Sequence, residues 1–338
     1  MSIVVHIKFF KIRYAYINEC FIKKCLMSNN TKPLYHFLLP SYWPLWLIIS
    51  LLKINSFFPY SRQLKHGKLL GRFGHKVLTK RRAITRRNLA LAFPELSLNE
   101  RNKLTLEHFE AMGISLIEFG LSRWASDNML SENSTWEGIE NIQKAIDTGR
   151  GVILLSAHFT SLEISGRILK QVIPVFDVVY RRNHNAFINE ILRSTRELSA
   201  QTAIEKRDIK SMIRNLRNGG IVWYAPDQSY NQKQSEVIPF FNIPAMTNTA
   251  TSTIAKLGNA VVLPFFPRRL PDGGYVLKFL PLMNNFPSNN SIDDTKKYIK
   301  ILEDQIRLCP EQYYWIHRKY KNLPVNYEDF YKDLKAWE

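Results

Sequence analysis

From Gly149 onward the chain alternates between two hydrophobic periods. Short, almost wholly apolar runs at Val152–Ala157, Phe176–Tyr180, Ile221–Ala225, Val261–Phe266 and Tyr275–Leu280 have the length and β-branched or aromatic content of buried strands. Between them the apolar positions recur at helical spacing, over Ser161–Lys170, near Ala186–Ala200, around Ile209–Asn218 and from about Thr249 to Leu257. Gly219-Gly220 and Gly258 close the last two, and a further helix covers Asp293–Leu308. Pro271-Asp-Gly-Gly274 is a hairpin loop. Upstream, Asn99–Trp124 carries an amphipathic stripe (Leu106, Phe109, Met112 or Gly113, Leu116, Ile117, Leu121), and Gly138–Ala145 is a helix stopped by Asp147-Thr-Gly149. Strands interleaved with helices predict an α/β fold. A central, mostly parallel or mixed sheet is flanked by helices, and the pattern allows an antiparallel edge strand. No internal repeat or low-complexity tract interrupts it.

The pattern changes before residue 61. Residues 34–60 contain Tyr42-Trp-Pro-Leu-Trp46-Leu-Ile-Ile-Ser-Leu-Leu52, apolar along its length and aromatic at its leading edge. Read as one helix from Leu45 to Phe58 it has about 14 residues, short of the ~20 that span a bilayer. Its tryptophans and tyrosine suit a membrane interface, which favours an anchor or a marginal single span over the alternative, a buried core helix. Residues 1–33 form a poorly defined extension with no signal-peptide cleavage pattern, and Met27 followed by Ser-Asn-Asn marks a possible true start. Residues 61–338 are then the α/β domain.

Charge narrows the partners. With 338 residues there is ample core, and 45% apolar content is ordinary, but a formal net charge of +18 calls for something acidic. Ten lysines and arginines, with no acid among them, lie between Arg62 and Arg87. Next to an apolar segment such a run is drawn to anionic lipid at a cytoplasmic face, and docking of an acidic carrier protein is compatible with that reading. Nucleic acid is disfavoured, because no helix-turn-helix, zinc knuckle or RNP-type aromatic motif is present. Cys20, Cys25 and Cys309 make neither a disulfide framework nor a metal spacing.

Candidate chemistry sits where strands end. The first run leads into His158, the second into Arg181-Arg182, and the third into Pro226-Asp227-Gln228. In parallel neighbours these would converge on the carboxyl edge of the sheet, where open α/β folds bind ligands. Glu163 follows His158 across the strand-to-helix junction, so an imidazole oriented by a carboxylate is one reading, with His158 as general base. The other is a capping box, in which Thr160-Ser-Leu-Glu163 only starts its helix. No nucleophile elbow, P-loop, dinucleotide fingerprint or histidine pair at metal spacing occurs, so no cofactor or metal is expected. A base without a serine or cysteine nucleophile suits direct attack by a substrate hydroxyl, hence acyl transfer to an alcohol.

These residues resemble the lipid A late acyltransferases of Gram-negative bacteria, of the lauroyl or myristoyl type. His158-x4-Glu163 looks like the H-x4-D/E motif that family shares with glycerolipid acyltransferases. The likeness extends to Lys80-Arg-Arg-Ala-Ile-Thr-Arg-Arg-Asn-Leu89 with Ala92-Phe-Pro94, Gly166-Arg167, Tyr180-Arg181-x-x-His184-Asn185 and Trp223-x-Ala-Pro-Asp227-Gln228-x-Tyr230. It continues in Pro239-Phe-Phe241 and Pro310-Glu-Gln-Tyr-x-Trp315-Ile-His317-Arg318, and covers about Leu39 to Pro324. Arg182 departs from it, since proline is commoner there. The resemblance implies a glycerolipid-acyltransferase-like domain at the cytoplasmic face of the inner membrane, single-pass or monotopic. It also implies transfer of a fatty acyl chain from acyl carrier protein to a hydroxyl of a lipid A precursor, Kdo2-lipid IVA. His158 would deprotonate the hydroxyl and Glu163 hold the imidazole. Arg167 and Arg181 would bind phosphate or stabilise charge, Asp227 would position, and His317 would be structural. The alternatives are another glycolipid or a glycerophosphate as acceptor, or a non-catalytic protein that binds anionic membranes.

Overall fold

In the computed structural model, which describes residues 37–337, the apolar runs form the middle of a seven-stranded sheet. Its strands are β1 (Ser134–Glu137), β2 (Gly151–Leu155), β3 (Asp177–Tyr180), β4 (Thr202–Glu205), β5 (Ile221–Tyr224), β8 (Ala260–Arg269) and β9 (Tyr275–Phe279). The order across the sheet is β1-β9-β8-β2-β5-β3-β4. All neighbours are parallel except β8 and β9, joined by the hairpin that the glycine turn predicts. This antiparallel pair is not at an edge, because β1 adds outside β9. Strands β6 (Ser235–Phe240) and β7 (Ile243–Asn248) form a separate hairpin.

The central runs are continuous because both faces of the sheet are covered. Ile153, Leu155, Val222, Tyr224 and Val262 point into one core, with the β6–β7 hairpin, helix α10 (Ala250–Gly258) and helix α11 (Ser291–Leu308). Val152, Leu154, Ile221, Trp223 and Leu263 point into the other, against α4 (Leu98–Trp124), α6 (Ile139–Asp147) and α7 (Leu162–Leu169). Helix α5 (Asp127–Glu132) precedes β1, while α8 (Ala186–Glu197) and α9 (Ile209–Arg217) lead into β4 and β5.

The region before the sheet is three helices: α1 (Trp43–Asn55), α2 (Tyr60–Val77) and α3 (Thr79–Ala92). At ~1.5 Å per residue, the 13 residues of α1 extend about 20 Å, against the ~30 Å hydrocarbon core of a bilayer. Among the described residues no helix is long and apolar enough to cross a membrane, so a single-pass anchor is not what this segment builds. Nor is α1 a core helix, since none of its residues is buried. Leu45, Trp46 and Ile49 pack beside Phe37 and Phe187, while Trp43, Leu47, Ile48, Leu51 and Ile54 stay open. The extension 1–33 lies outside the described residues.

The basic run divides by role. Arg62, Lys65, Lys68, Arg72 and Lys76 of α2 are exposed, beside exposed Leu69, Phe73 and Val77. The opposite face of α2 crosses α4 backbone to backbone. Gly67 and Gly71 meet Gly113 there, and any side chain at Gly71 would overlap the Phe109 carbonyl. Of the arginines of α3, Arg81 is exposed, while the other three are partly buried and bonded to the molecule's own carbonyls. Arg82 donates to the His75 carbonyl (2.6 Å), Arg86 to that of Trp337 (3.2 Å) and Arg87 to that of Phe330 (2.8 Å).

Candidate active site

Strands β2 and β5 are paired in register, Leu155 beside Tyr224. His158 follows Leu155 by three residues and Asp227 follows Tyr224 by three, so the ladder delivers both side chains to one place at the carboxyl edge. Their contact is a hydrogen bond of 2.6 Å from His158 Nδ1 to Asp227 Oδ1. The aspartate is 1% exposed and the imidazole 35%, so one end of the pair is sealed and the other is open. Burial resists ionisation of Asp227, but His158 and then Lys319 outweigh it and hold its pKa below the usual carboxylate value. An ionised carboxylate can only accept. The proton therefore sits on Nδ1, and Nε2 is left with a free lone pair, as a general base requires.

Glu163 takes a different partner from the one its spacing suggests. It lies in the first turn of α7 and receives both ends of the Arg196 guanidinium, one of the two bonds being Nε to Oε2 at 3.1 Å. This pair clamps α7 to α8. The capping-box alternative is not formed either, because no side chain caps the helix at Ser161. A five-residue separation across a loop and a helix start does not bring Glu163 to the Nδ1 of His158, which the in-register carboxylate of Asp227 already occupies. Arg167 is engaged as well, by Asp127 at 2.7 Å and the Ala125 carbonyl at 3.4 Å, and so ties α7 to the end of α4. Arg181 is exposed one strand beyond Asp227, with Lys206 just after the end of the next strand, β4.

The C-terminal block supports the histidine loop from behind. Phe159 bridges Tyr313, the Tyr314 N–H donates to the His158 carbonyl (3.1 Å), and the Thr160 N–H donates to that of Gln312 (2.8 Å). Trp315 is fully buried, its indole bonded to the Pro310 carbonyl at 2.7 Å. Asn88, from the basic block of α3, donates to the carbonyls of Trp315 (2.6 Å) and His317 (2.8 Å). Burial, with Lys321 adding to it, pushes His317 down to about 4, which keeps it neutral. Tyr298 of α11 donates to the Ser156 carbonyl at 2.7 Å. Arg196, Asn88, Tyr298 and Lys319 were not legible as site residues. For the His158–Asp227 pair the signal was present, as equal offsets after two neighbouring strands. Among the described residues no group of acids, histidines and cysteines is arranged to hold a metal.

Comparison with known proteins gives this arrangement a family. The model of a family described as bacterial lipid A biosynthesis acyltransferase matches residues 31–322. A lipid A biosynthesis lauroyltransferase of Escherichia coli K12 is 35% identical over 300 residues, 88% of this chain and 98% of that protein. A palmitoleoyltransferase of the same organism is 32% identical, over 87% of this chain and 96% of its own length. A myristoyltransferase is more distant, at 24% over 82% and 86%. With the match running through helices α1 to α11 and both strand ends that carry His158 and Asp227, the chain belongs to the bacterial lipid A biosynthesis acyltransferase family.

Proposed function

We propose that this protein transfers a fatty acyl chain from acyl carrier protein to a hydroxyl of a lipid A precursor, Kdo2-lipid IVA, with His158 as general base. The observation that carries the reading is the 2.6 Å bond from His158 Nδ1 to Asp227, which leaves Nε2 as the proton acceptor at the carboxyl edge of the sheet. Nε2 takes the proton of the acceptor hydroxyl as its oxygen attacks the thioester carbonyl. The tetrahedral intermediate collapses with loss of the thiolate, and the imidazolium returns the proton to that sulfur. Ester and thiol are the products, and the base is regenerated. Glu163 acts through Arg196 in this reading, as a brace of α7. Exposed Arg181 and Lys206 supply positive charge for the acceptor's phosphates.

The protein lies on the cytoplasmic face of the inner membrane as a monotopic enzyme. Support comes from the open apolar side of α1, with exposed Trp43 at its start, and from the apolar and cationic side of α2. Acyl chain length is a finer matter, because one methylene changes binding by only about 1–3 kcal/mol. The relatives named for lauroyl and palmitoleoyl transfer are almost equally similar to this chain.

The test is product formation by membranes containing the protein, given acyl carrier protein loaded with defined chains and Kdo2-lipid IVA, read by mass spectrometry. One acyl chain added by the wild type and lost in His158→Ala is the expected result. No added chain at any length from a membrane-bound wild type overturns the reading.

A further inference from the structure

Lys319 lies just beyond the closing sequence block, on no regular element, and is 3% exposed. Its ammonium donates to the main-chain carbonyl of Asp227 at 2.6 Å and rests 4.5 Å from the centre of the Phe240 ring. Burying an ammonium is costly, and a methionine or leucine would fill the same space without that cost. The position of the charge suggests what offsets it. The carbonyl belongs to the residue whose carboxylate holds His158, at a point where β5 has ended and no ladder partner fixes the chain.

We propose that Lys319 is a positioning residue for the His158–Asp227 pair, anchoring the Asp227 main chain and supplying the positive charge that keeps its buried carboxylate ionised. The proposal rests on His158 being the base. An ionised Asp227 fixes the proton on Nδ1 of the imidazole, and a cation behind it prevents the pair from drawing a second proton too readily.

The groups facing this cluster leave a readable window. Tyr224 of β5, Tyr298 of α11 and Tyr313 are all pushed up by burial, beyond the working range. His317 is pushed down to about 4, and Glu303 of α11, the other acid facing Lys319, is raised by burial. Burial lowers Lys319 itself to about 8, against the opposing pull of Asp227 and Glu303. Lys319 is thereby brought into the mildly alkaline range.

The experiment is the pH dependence of kcat/KM for acyl transfer from about pH 5 to about pH 9.5, with thermal unfolding of each variant alongside. Wild type, Lys319→Met, Lys319→Arg and His158→Ala are compared in the full-length, membrane-bound protein. Loss of the cation favours the imidazolium, so in Lys319→Met the acid limb moves to higher pH and kcat falls about 10- to 100-fold, with KM for both substrates near wild type. Lys319→Arg keeps the acid limb in place but loses the alkaline fall that deprotonation of Lys319 gives the wild type. A folded Lys319→Met with wild-type kcat and an unmoved acid limb overturns the proposal. So does a loss of activity that follows only a loss of folded protein in both variants. Full activity of His158→Ala would instead remove the reading on which the proposal rests, and is distinguishable from either.

Discussion

A carboxylate that can only accept hydrogen bonds dictates which nitrogen of its imidazole partner carries the proton. Asp227 is such a group, and exchanging it for asparagine keeps the shape while allowing the amide to donate. Asp227→Asn is expected to remain folded and to lose about 10³–10⁴-fold in kcat, because the imidazole is then free to settle in the wrong tautomer. Steady-state rates with far-UV circular dichroism check both halves of that statement. At this scale the sequence was partly legible. His158 and Asp227 stand out as polar residues directly after apolar runs, while the partner of Glu163 is 33 residues away on another helix. Sequence spacing reports neighbours along the chain, and Arg196 becomes a neighbour only when α8 packs beside α7.

Among the elements, visibility followed burial. Strands covered on both faces, such as β2 and β5, read directly as apolar runs. Ser134-Thr-Trp-Glu137 and Thr202-Ala-Ile-Glu205 escaped notice because β1 and β4 are the two edges of the sheet, half solvated and therefore half polar. The β6–β7 hairpin turns at Phe241-Asn242, both with positive φ, without the glycine that marks such turns. The basic run hid two helices, and in α2 the packing signal was two glycines four residues apart, not an apolar stripe. Helix α1 carries its own prediction. Its open leucines face water in isolation, so Leu47→Asp with Leu51→Asp leaves the fold intact. The double variant is expected to weaken co-sedimentation with anionic vesicles by roughly tenfold or more. Raising salt should weaken the remaining binding further, through the α2 cations.

For the molecule as a whole, acid is the condition that tests its construction. His108 is completely buried on α4, bonded through Nδ1 to the Glu311 carbonyl at 2.9 Å, and burial lowers its pKa from 6.5 to about 4. The unfolded chain accepts this proton near pH 6.5 and the folded one refuses it until about pH 4, so below 6.5 the unfolded state binds more protons. Stability is then fully present above about pH 6.5 and falls as pH drops toward 4, by about 3 kcal/mol from this residue. Thermal unfolding across that interval is expected to show the fall, with a shallower slope in His108→Gln, whose amide can still meet the carbonyl. The overall α/β class was legible because alternating periods survive in any sequence with a two-sided core. The way the ends of the chain close on the middle was not, since it depends on single bonds such as that of Asn88 to Trp315.

Those bonds also set an order of events. The strap behind His158 is made of residues 312–319, and Arg86 and Arg87 wait for carbonyls at Trp337 and Phe330. Helices α1 and α2 leave the ribosome long before any of these. During synthesis the segment proposed to meet lipid is therefore made while the histidine loop still lacks its backing, and the last residues to be added are those that steady the base.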